Sequence, residues 1–294
     1  MFEGAHTALV TPFRNDRFDE AAFELLIESQ VKNNISGIVP VGTTGESPTL
    51  THEEHARVIE LAVQSAKGRC KVIAGTGSNS TAEAISLTVD AEKAGADAAL
   101  LVVPYYNKPT QEGLFQHYRA IAQATKLPLI LYSIPGRAGI EVAVPTVARL
   151  AEACPNIVAI KEAGGSVDRV SQLRQALPES FEILSGDDAL TLPFMSVGAV
   201  GVISVASNII PGEVSELVRT ALEGDYARAR TLHEQWYPLF RDLFIEANPG
   251  PIKAALAWQG SISPEVRLPL SGLTPQNAET LRATLTRLAL LAYE

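Results

Sequence analysis

Residues 71–103 read KVIAGTGSNSTAEAISLTVDAEKAGADAALLVV, and this stretch contains the repeating unit that decides the fold. An apolar run from Lys71 to Gly75 is followed by a segment of helical periodicity, Thr81 to Ala94, and then by a second apolar run, Ala98 to Val103. Short apolar runs predict buried strands, and a helical segment between two of them predicts a βαβ unit.

The same unit recurs from the N-terminus to about residue 222. The apolar runs that predict strands are Ala5 to Val10, Gly37 to Val41, Lys71 to Gly75, Ala98 to Val103, Pro128 to Ile134, Ile157 to Ile160, Phe181 to Leu184 and Gly198 to Val205. The helical segments are Glu20 to Lys32, Glu53 to Lys67, Thr81 to Ala94, Gln111 to Thr125, Val144 to Glu152, Val167 to Ala176, Ala189 to Ser196 and Gly212 to Leu222. These runs are apolar almost throughout, which is typical of parallel strands covered on both faces. Eight βα units over roughly 225 residues predict an α/β protein with a (β/α)8 TIM barrel.

A doubly wound open sheet is the alternative arrangement of the same units. That fold would be favoured by a GxGxxG turn after the first strand, where this chain has Thr11-Pro12-Phe13 instead. After Gly224 only helical patterns follow: Tyr226 to Glu246, Pro251 to Trp258 and Pro275 to Tyr293. We therefore expect a catalytic barrel over residues 1–224 and a C-terminal helical extension over residues 225–294.

The composition favours small-molecule ligands. The 294 residues include 33 acidic and 24 basic side chains, a formal net charge of −9, which gives no electrostatic basis for binding nucleic acid or an anionic membrane surface. The longest apolar run, Ala98 to Val103, is too short to cross a bilayer, and no basic leader precedes an apolar stretch at the N-terminus, so a cytoplasmic protein is expected. Cys70 and Cys154 lack CxxC spacing and are expected to be buried or inert thiols.

Catalytic groups in such barrels lie at the C-terminal ends of strands, and three of these ends carry side chains that are candidates for catalysis or substrate binding. After the second strand, Gly42-Thr43-Thr44-Gly45-Glu46 combines two glycines with two hydroxyls and could cradle a carboxylate, although a tight loop with a capping Thr reads the same. The fifth strand ends near Tyr132 and Arg137, where Tyr132 could relay protons and Arg137 could bind a carboxylate through two N–H groups. Alternatively, Tyr132 is a core residue and Arg137 is a solvated charge in a loop.

Lys161 is the most informative of these residues, because four apolar residues of the sixth strand precede it. Burial lowers the pKa of a lysine, and the free amine is then a nucleophile for carbonyl carbons. A lysine that reaches solvent or pairs with Glu162 is the alternative.

Other chemistries lack their residues. Only His52 and His55 share helical spacing, and no HxH or HExxH motif occurs, so no metal is expected. Residues 75–79 lack the lysine of a P-loop and the third glycine of a dinucleotide turn, so no nucleotide cofactor is expected. Asp187 and Asp188 would repel a phosphate after the seventh strand, and capping of the following helix is an alternative use for both.

Gly42-Thr43-Thr44-Gly45-Glu46, Tyr132 and Lys161, in this order, give the chain a resemblance to a known family. It resembles, nearly end to end, the Schiff-base-forming barrels that include N-acetylneuraminate lyase and dihydrodipicolinate synthase. Further matching segments are Pro104 to Gly113, Tyr132-Ser133-Ile134-Pro135 with Arg137 and Gly139, Ile160 to Ala163, Ser185 to Asp188 and Gly201 to Ser204. Thr43-Thr44 and Arg137 favour the dihydrodipicolinate synthase branch, since sialic-acid lyases usually carry Ser-Thr and lack the arginine.

The resemblance implies a carbon–carbon bond-forming lyase without a cofactor, which condenses pyruvate with L-aspartate 4-semialdehyde in lysine biosynthesis. It implies that Lys161 forms the Schiff base and that Tyr132, Thr43 and Tyr106 form a hydroxyl relay. Tyr106 would come from a neighbouring subunit of a homotetramer or dimer. The implied substrate-binding groups are Thr44, Arg137, Gly186 and the backbone at Ile203.

The resemblance also implies feedback inhibition by L-lysine at a dimer interface. The matching positions are Ser47, Pro48, His52, His55, Asn79, Glu83 and Tyr105, and Pro48 replaces an alanine often found there. His52 and His55 could instead cap and solvate a surface helix. Two other functions remain open: a pyruvate-type aldolase or dehydratase acting on a sugar acid, and a non-catalytic protein that binds a keto acid.

Overall fold

The computed structural model describes residues 1–292 and forms a closed barrel of eight parallel strands surrounded by helices. Each strand pairs with its neighbour along the chain, and the last strand pairs with the first, with Gly4 opposite Gly201. The closed barrel that the sequence predicted is therefore confirmed. The barrel strands are β1 Gly4–Ala8, β2 Gly37–Val39, β3 Lys71–Gly75, β4 Ala98–Val102, β5 Leu129–Ser133, β6 Ile157–Glu162, β7 Glu182–Ser185 and β8 Gly201–Ser204.

Several of the helices that cover the barrel begin where a side chain satisfies a free backbone N–H group. The side chains of Thr51, Ser80, Thr110 and Ser166 each accept a hydrogen bond from the first turn of the helix that follows. The helices of the barrel region are α1 Glu20–Lys32, α2 His52–Ala66, α3 Thr81–Ala94, α4 Gln111–Ala124, α5 Pro135–Ala138, α6 Val144–Ala153, α7 Val167–Ala176, α8 Thr191–Met195 and α9 Pro211–Leu222.

The C-terminal extension contains α10 Tyr226–Asp242, α11 Gly250–Trp258 and α12 Pro275–Arg287. The sequence extended the last helix to Tyr293, which lies outside the described residues, whereas α12 ends at Arg287. A buried hydrogen bond joins α12 to α10: the Thr284 hydroxyl donates to the Asp242 carboxylate at 2.6 Å. Within the described part of the chain, no helix is both long and apolar enough to cross a membrane.

The core has two layers because side chains alternate across each strand. An inner layer fills the barrel, and Tyr132 and Ile203 belong to it. The outer layer lies between strands and helices and includes Leu131 and Ile160. The same alternation separates neighbouring polar residues at the end of β6, where Lys161 and Glu162 point to opposite faces. Cys70 and Cys154 are free and buried, as predicted.

A short hairpin was among the elements that the sequence did not predict. Phe13–Arg14 pairs with Arg17–Phe18 in a short antiparallel hairpin directly after the first strand. The hairpin loop is bound to the C-terminal extension, since the Glu265 carboxylate accepts hydrogen bonds from the N–H groups of Asn15 and Asp16, both at 3.1 Å. This contact holds the extension against the loop that follows β1.

Candidate active site

Lys161 lies at the C-terminal end of β6, buried inside the barrel mouth and opposite Tyr132 of β5 in the strand register. Its Nζ is 4.3 Å from the centroid of the Tyr132 ring. Burial lowers the pKa of Lys161 to about 8; the positive charge of Arg137 acts in the same direction, and the Asp188 carboxylate opposes it. A lysine with this pKa supplies a useful fraction of free amine near neutral pH.

The alternative that Lys161 pairs with Glu162 is wrong. The Glu162 carboxylate is buried on the opposite side of β6, where it accepts a hydrogen bond from Arg169 Nε at 2.8 Å and another from the Gly164 N–H at 2.7 Å. Among residues 1–292, no carboxylate lies within ion-pair distance of Lys161 Nζ. The amine therefore faces the cavity.

Tyr132 and Thr43 bring two hydroxyl groups to the same place. Burial raises the pKa of Tyr132 to about 12, and the Arg137 charge and a hydrogen bond with the Thr43 hydroxyl act in the opposite direction. The phenol is therefore protonated at neutral pH and can donate a proton, while Thr43 and Arg137 stabilise the phenolate that donation would leave.

The turn from Gly42 to Glu46 projects its two threonines towards the lysine. Within the turn, the Gly45 and Glu46 N–H groups donate to the Gly42 and Thr43 carbonyls, each at 3.1 Å. A Cβ at position 45 would lie 2.9 Å from the Val41 nitrogen, so only glycine fits there. The Thr44 hydroxyl accepts a hydrogen bond from Asn248 Nδ2 at 2.9 Å.

Most of the predicted catalytic and substrate-binding residues line one cavity of about 40 Å³. Gly186 matters there through its missing side chain, because a Cβ would lie 3.0 Å from Lys161 Cε. Ile203 is buried in the inner core and does not line this cavity; the resemblance assigned only its backbone a role. The predicted residues that do line it are Thr43, Thr44, Tyr132, Arg137, Lys161 and Gly186.

Among the predicted catalytic residues, Tyr106 lies apart from this cavity. Its side chain is 90% exposed, it has a left-handed backbone with φ of 72°, and it does not reach Tyr132 or Thr43 within one chain. The loop that carries it is closed by the Asn107 N–H, which donates to the Tyr105 carbonyl at 2.9 Å. A relay through Tyr106 therefore requires a second copy of the chain.

The positions matched to an L-lysine site lie around a neighbouring cavity of about 490 Å³. This second cavity adjoins the cavity that contains Lys161, because Thr43, Tyr132 and Arg137 line both. Asn79 is not among its lining residues; its side-chain amide donates to the Tyr105 carbonyl at 3.2 Å. The other matched positions all line it: Ser47, Pro48, His52, His55, Glu83 and Tyr105.

The two histidines of this second cavity have different environments. His52 is exposed, and its Nε2 lies 2.9 Å from the Glu83 carboxylate. His55 is buried, its Nε2 lies 2.9 Å from the Gly75 carbonyl, and burial lowers its pKa. Hydrogen bonds from Ser78 and His52 hold the pKa of Glu83 below its usual range, so its carboxylate is charged at neutral pH.

Asp187 and Asp188 have separate roles, whereas the sequence suggested capping for both. The Asp187 carboxylate accepts from the Ala189 and Leu190 N–H groups at 2.8 and 3.3 Å, so it closes the turn before α8. The helix itself begins at Thr191 without a side-chain cap, so Asp187 does not cap it. Asp188 is buried and accepts from the N–H groups of Val205 and Ala206, both at 3.0 Å, so it fixes the turn after β8. Burial raises its pKa.

Sequence reasoning missed Asn248 and the buried pair of Glu46 and Lys253. Lys253 Nζ lies 2.5 Å from Glu46 Oε1, and both side chains are inaccessible to solvent. The Pro- and Gly-rich stretch Asn248-Pro249-Gly250-Pro251 predicts a turn. Nothing in this stretch indicates that the turn contacts Thr44 and Glu46. Residues 1–292 contain no group of three or more His, Cys, Asp or Glu side chains that could hold a metal ion.

Comparisons with known proteins agree with this geometry. The model of the dihydrodipicolinate synthetase family matches residues 1–288. The chain belongs to this family. It is 53% identical over 287 residues to the 4-hydroxy-tetrahydrodipicolinate synthase of Aquifex aeolicus, covering 98% of each chain. It is therefore an enzyme, a lyase of the dihydrodipicolinate synthetase family.

Solved structures of this family superpose along the whole length. The synthase of Methylacidiphilum fumariolicum SolV is 60% identical, with a TM-score of 0.98 and coverage of 98% of this chain and 96% of that one. The Acinetobacter baumannii enzyme, solved with pyruvate, is 47% identical with a TM-score of 0.97, covering 99% and 100%. The Cyanidioschyzon merolae enzyme, solved with lysine bound, is 44% identical with a TM-score of 0.95, covering 99% of each chain.

Proposed function

We propose that this chain is a 4-hydroxy-tetrahydrodipicolinate synthase, which condenses pyruvate with L-aspartate 4-semialdehyde. The observation that carries the proposal is the buried Lys161 amine, with a pKa of about 8, in one cavity with Tyr132 and Thr43. The synthase name of relatives near 50% identity and the pyruvate complex of a 47% identical relative support it.

The first step is attack of the Lys161 amine on the keto carbon of pyruvate. The nitrogen forms the new bond, and the carbonyl oxygen takes one proton from Tyr132 and a second from the lysine nitrogen. The oxygen then leaves as water, which leaves an iminium ion on Lys161 and a phenolate at Tyr132. Thr44 and the backbone at Ile203 hold the pyruvate carboxylate, and the missing side chain at Gly186 leaves room beside Lys161.

The iminium ion withdraws electrons, so the methyl group of pyruvate loses a proton to the Tyr132 phenolate and the iminium becomes an enamine. The enamine carbon attacks the aldehyde carbon of the semialdehyde, and the resulting alkoxide takes a proton from Tyr132. The amine of the condensed substrate then replaces Lys161 at the imine carbon, which closes the ring and regenerates the free lysine. Arg137, which lines the cavity, pairs with the carboxylate of the semialdehyde.

A second copy of the chain completes the relay in this proposal. The exposure of Tyr106 supports a homotetramer or dimer in which Tyr106 of one copy joins Thr43 and Tyr132 of another. A single phenol with a pKa of about 12 is a weak proton relay, and a chain of hydroxyls can share the developing charge.

L-Lysine inhibits the enzyme at the second cavity in this proposal. The charged Glu83 carboxylate suits its ammonium group, and the lysine-bound relative at 44% identity supports the assignment. The cavity adjoins Thr43, Tyr132 and Arg137, so a ligand there would contact residues next to the reaction centre.

Reductive trapping tests the proposal. Pyruvate and borohydride are expected to add about 72 Da to the intact chain, the mass of one reduced Schiff base, and peptide mapping is expected to place it on Lys161. Lys253 is an internal control, since it is equally buried but bound to Glu46. No adduct on the folded protein would contradict the mechanism, and turnover of sugar acids without turnover of aspartate semialdehyde would contradict the substrate.

A further inference from the structure

The turn that carries Thr43 and Thr44 begins and ends in strained backbone. Val41 and Glu46 flank it with φ angles of 50° and 54°, in the left-handed region. A β-branched residue such as Val is a true outlier there. Conformations of this kind persist only where the surrounding structure imposes them, so groups outside the turn must hold it.

The first of these groups lies on the C-terminal extension and binds Glu46. One oxygen of the buried Glu46 carboxylate is 2.5 Å from Lys253 Nζ, and the other accepts the Arg267 N–H at 2.9 Å. Both cations also contact the Phe13 ring, with Lys253 Nζ and Arg267 Cζ each 4.2 Å from its centroid. A buried pair with this packing fixes the end of the turn.

The second group is Asn248, which lies two residues before the start of α11 at Gly250. Its amide donates to the Thr44 hydroxyl at 2.9 Å, and its side chain is buried. Lys253 is on α11 itself. One short segment of the extension therefore holds both the middle of the turn, at Thr44, and its end, at Glu46.

We infer that the segment Asn248–Lys253 sets the position of the keto-acid-binding turn, and that Asn248 and Lys253 are positioning residues of the reaction. Asn248 acts through the Thr44 hydroxyl and Lys253 acts through Glu46. The inference rests on the proposed function in one respect, because it takes Thr44 as a pyruvate-binding group.

Two variants test the two contacts. Asn248→Ala removes the donor to Thr44. Lys253→Met combined with Glu46→Gln removes the ion pair without leaving a buried unpaired charge. Thr284→Val is the matched control. It removes a buried hydrogen bond within the same extension, from Thr284 to Asp242, that does not involve the turn.

The readout that needs no substrate is hydrogen exchange of the backbone amides of residues 42–46. We expect faster exchange in both test variants and wild-type exchange in T284V. The functional readout is the rate of reductive trapping at subsaturating pyruvate. We expect it to fall about 10- to 100-fold in the test variants, through a higher KM for pyruvate, because small misplacements of binding groups have effects of this size.

A double-mutant cycle shows whether Asn248 acts through Thr44. We expect N248A combined with T44V to trap pyruvate no more slowly than T44V alone; additive losses would overturn the assignment. Unchanged exchange and trapping in N248A, or equal losses in T284V, would overturn it as well. If wild type forms no pyruvate adduct, the proposed function fails, whereas the exchange experiment still decides whether the extension holds the turn.

Discussion

The pKa of Lys161 gives the sharpest test of the site. A lysine at its ordinary pKa of 10.5 has about 0.03% free amine at pH 7, whereas a pKa of about 8 gives about 9%. Burial in the barrel mouth therefore raises the concentration of the nucleophile about 300-fold. The expected signature is a reactivity that rises with pH and levels off above about pH 8.

Competitive labelling with acetic anhydride measures this pKa directly. The extent of acetylation of the Lys161 peptide, relative to an exposed lysine such as Lys67, is followed by mass spectrometry from pH 6 to 11. We expect a midpoint near pH 8. The pH profile of kcat/KM for pyruvate should rise through the same range, since it reports the groups of the free enzyme.

Two variants of Arg137, one that removes its charge and one that keeps it, measure how much this charge lowers the pKa of Lys161. Its positive charge helps to lower the pKa of Lys161, so Arg137→Met should move the labelling midpoint upward and Arg137→Lys should leave it in place. Both variants lose the guanidinium fork and should raise the KM for the semialdehyde. A midpoint near 10.5 in the wild type, or equal shifts in the two variants, would refute the reasoning.

Four further predictions follow from the same geometry. Lys161→Met should stabilise the protein to urea by about 3 kcal/mol at pH 7, because the folded-state pKa is lowered; the gain should shrink from about pH 8 upward and vanish above pH 10.5, and an equal gain at pH 11 would contradict this origin. Thr43→Val removes the hydrogen bond that lowers the pKa of Tyr132, so kcat should fall about 100-fold while the pyruvate adduct still forms, but more slowly; an unchanged kcat would remove Thr43 from the relay. Glu83→Gln should raise the L-lysine concentration for half-inhibition by about tenfold or more, whereas the exposed control Glu60→Gln should not; equal inhibition of both would remove Glu83 from the site. Tyr106→Phe and Lys161→Met chains should each be nearly inactive, but refolding them together should restore part of the activity if Tyr106 crosses between subunits, and mixtures as inactive as the separate chains would exclude a shared relay.

The barrel itself could be predicted because its signal is local. A strand with both faces covered must be apolar along its length, so runs such as Ala98 to Val103 and Pro128 to Ile134 mark β4 and β5 to within one residue at each end. The ends of the helices in the extension were harder to predict, because no glycine or proline between Asp242 and Pro249 marks the end of α10. The pattern from Tyr226 continued to Glu246, whereas α10 ends at Asp242.

Part of the candidate site could also be predicted from the sequence, and part could not. Lys161, Tyr132 and the Gly42–Glu46 turn could be predicted, because parallel strands in a barrel bring their C-terminal ends to one mouth. Whether Lys161 pairs with Glu162 could not be predicted from composition. The side-chain alternation of β6, together with Arg169 on α7, decided it.

By itself the sequence determined the eight strands, their parallel closure and the residues at their ends, since these depend on the period of apolar residues over short distances. Only the tertiary structure decided which groups hold the turn with the two threonines. Asn248 and Lys253 lie 204 and 207 positions along the chain from Thr44 and Glu46, and no local pattern encodes a contact over that separation. The partner of a buried polar group is fixed by how distant elements pack, because burial permits only the pairing that packing brings within hydrogen-bond distance.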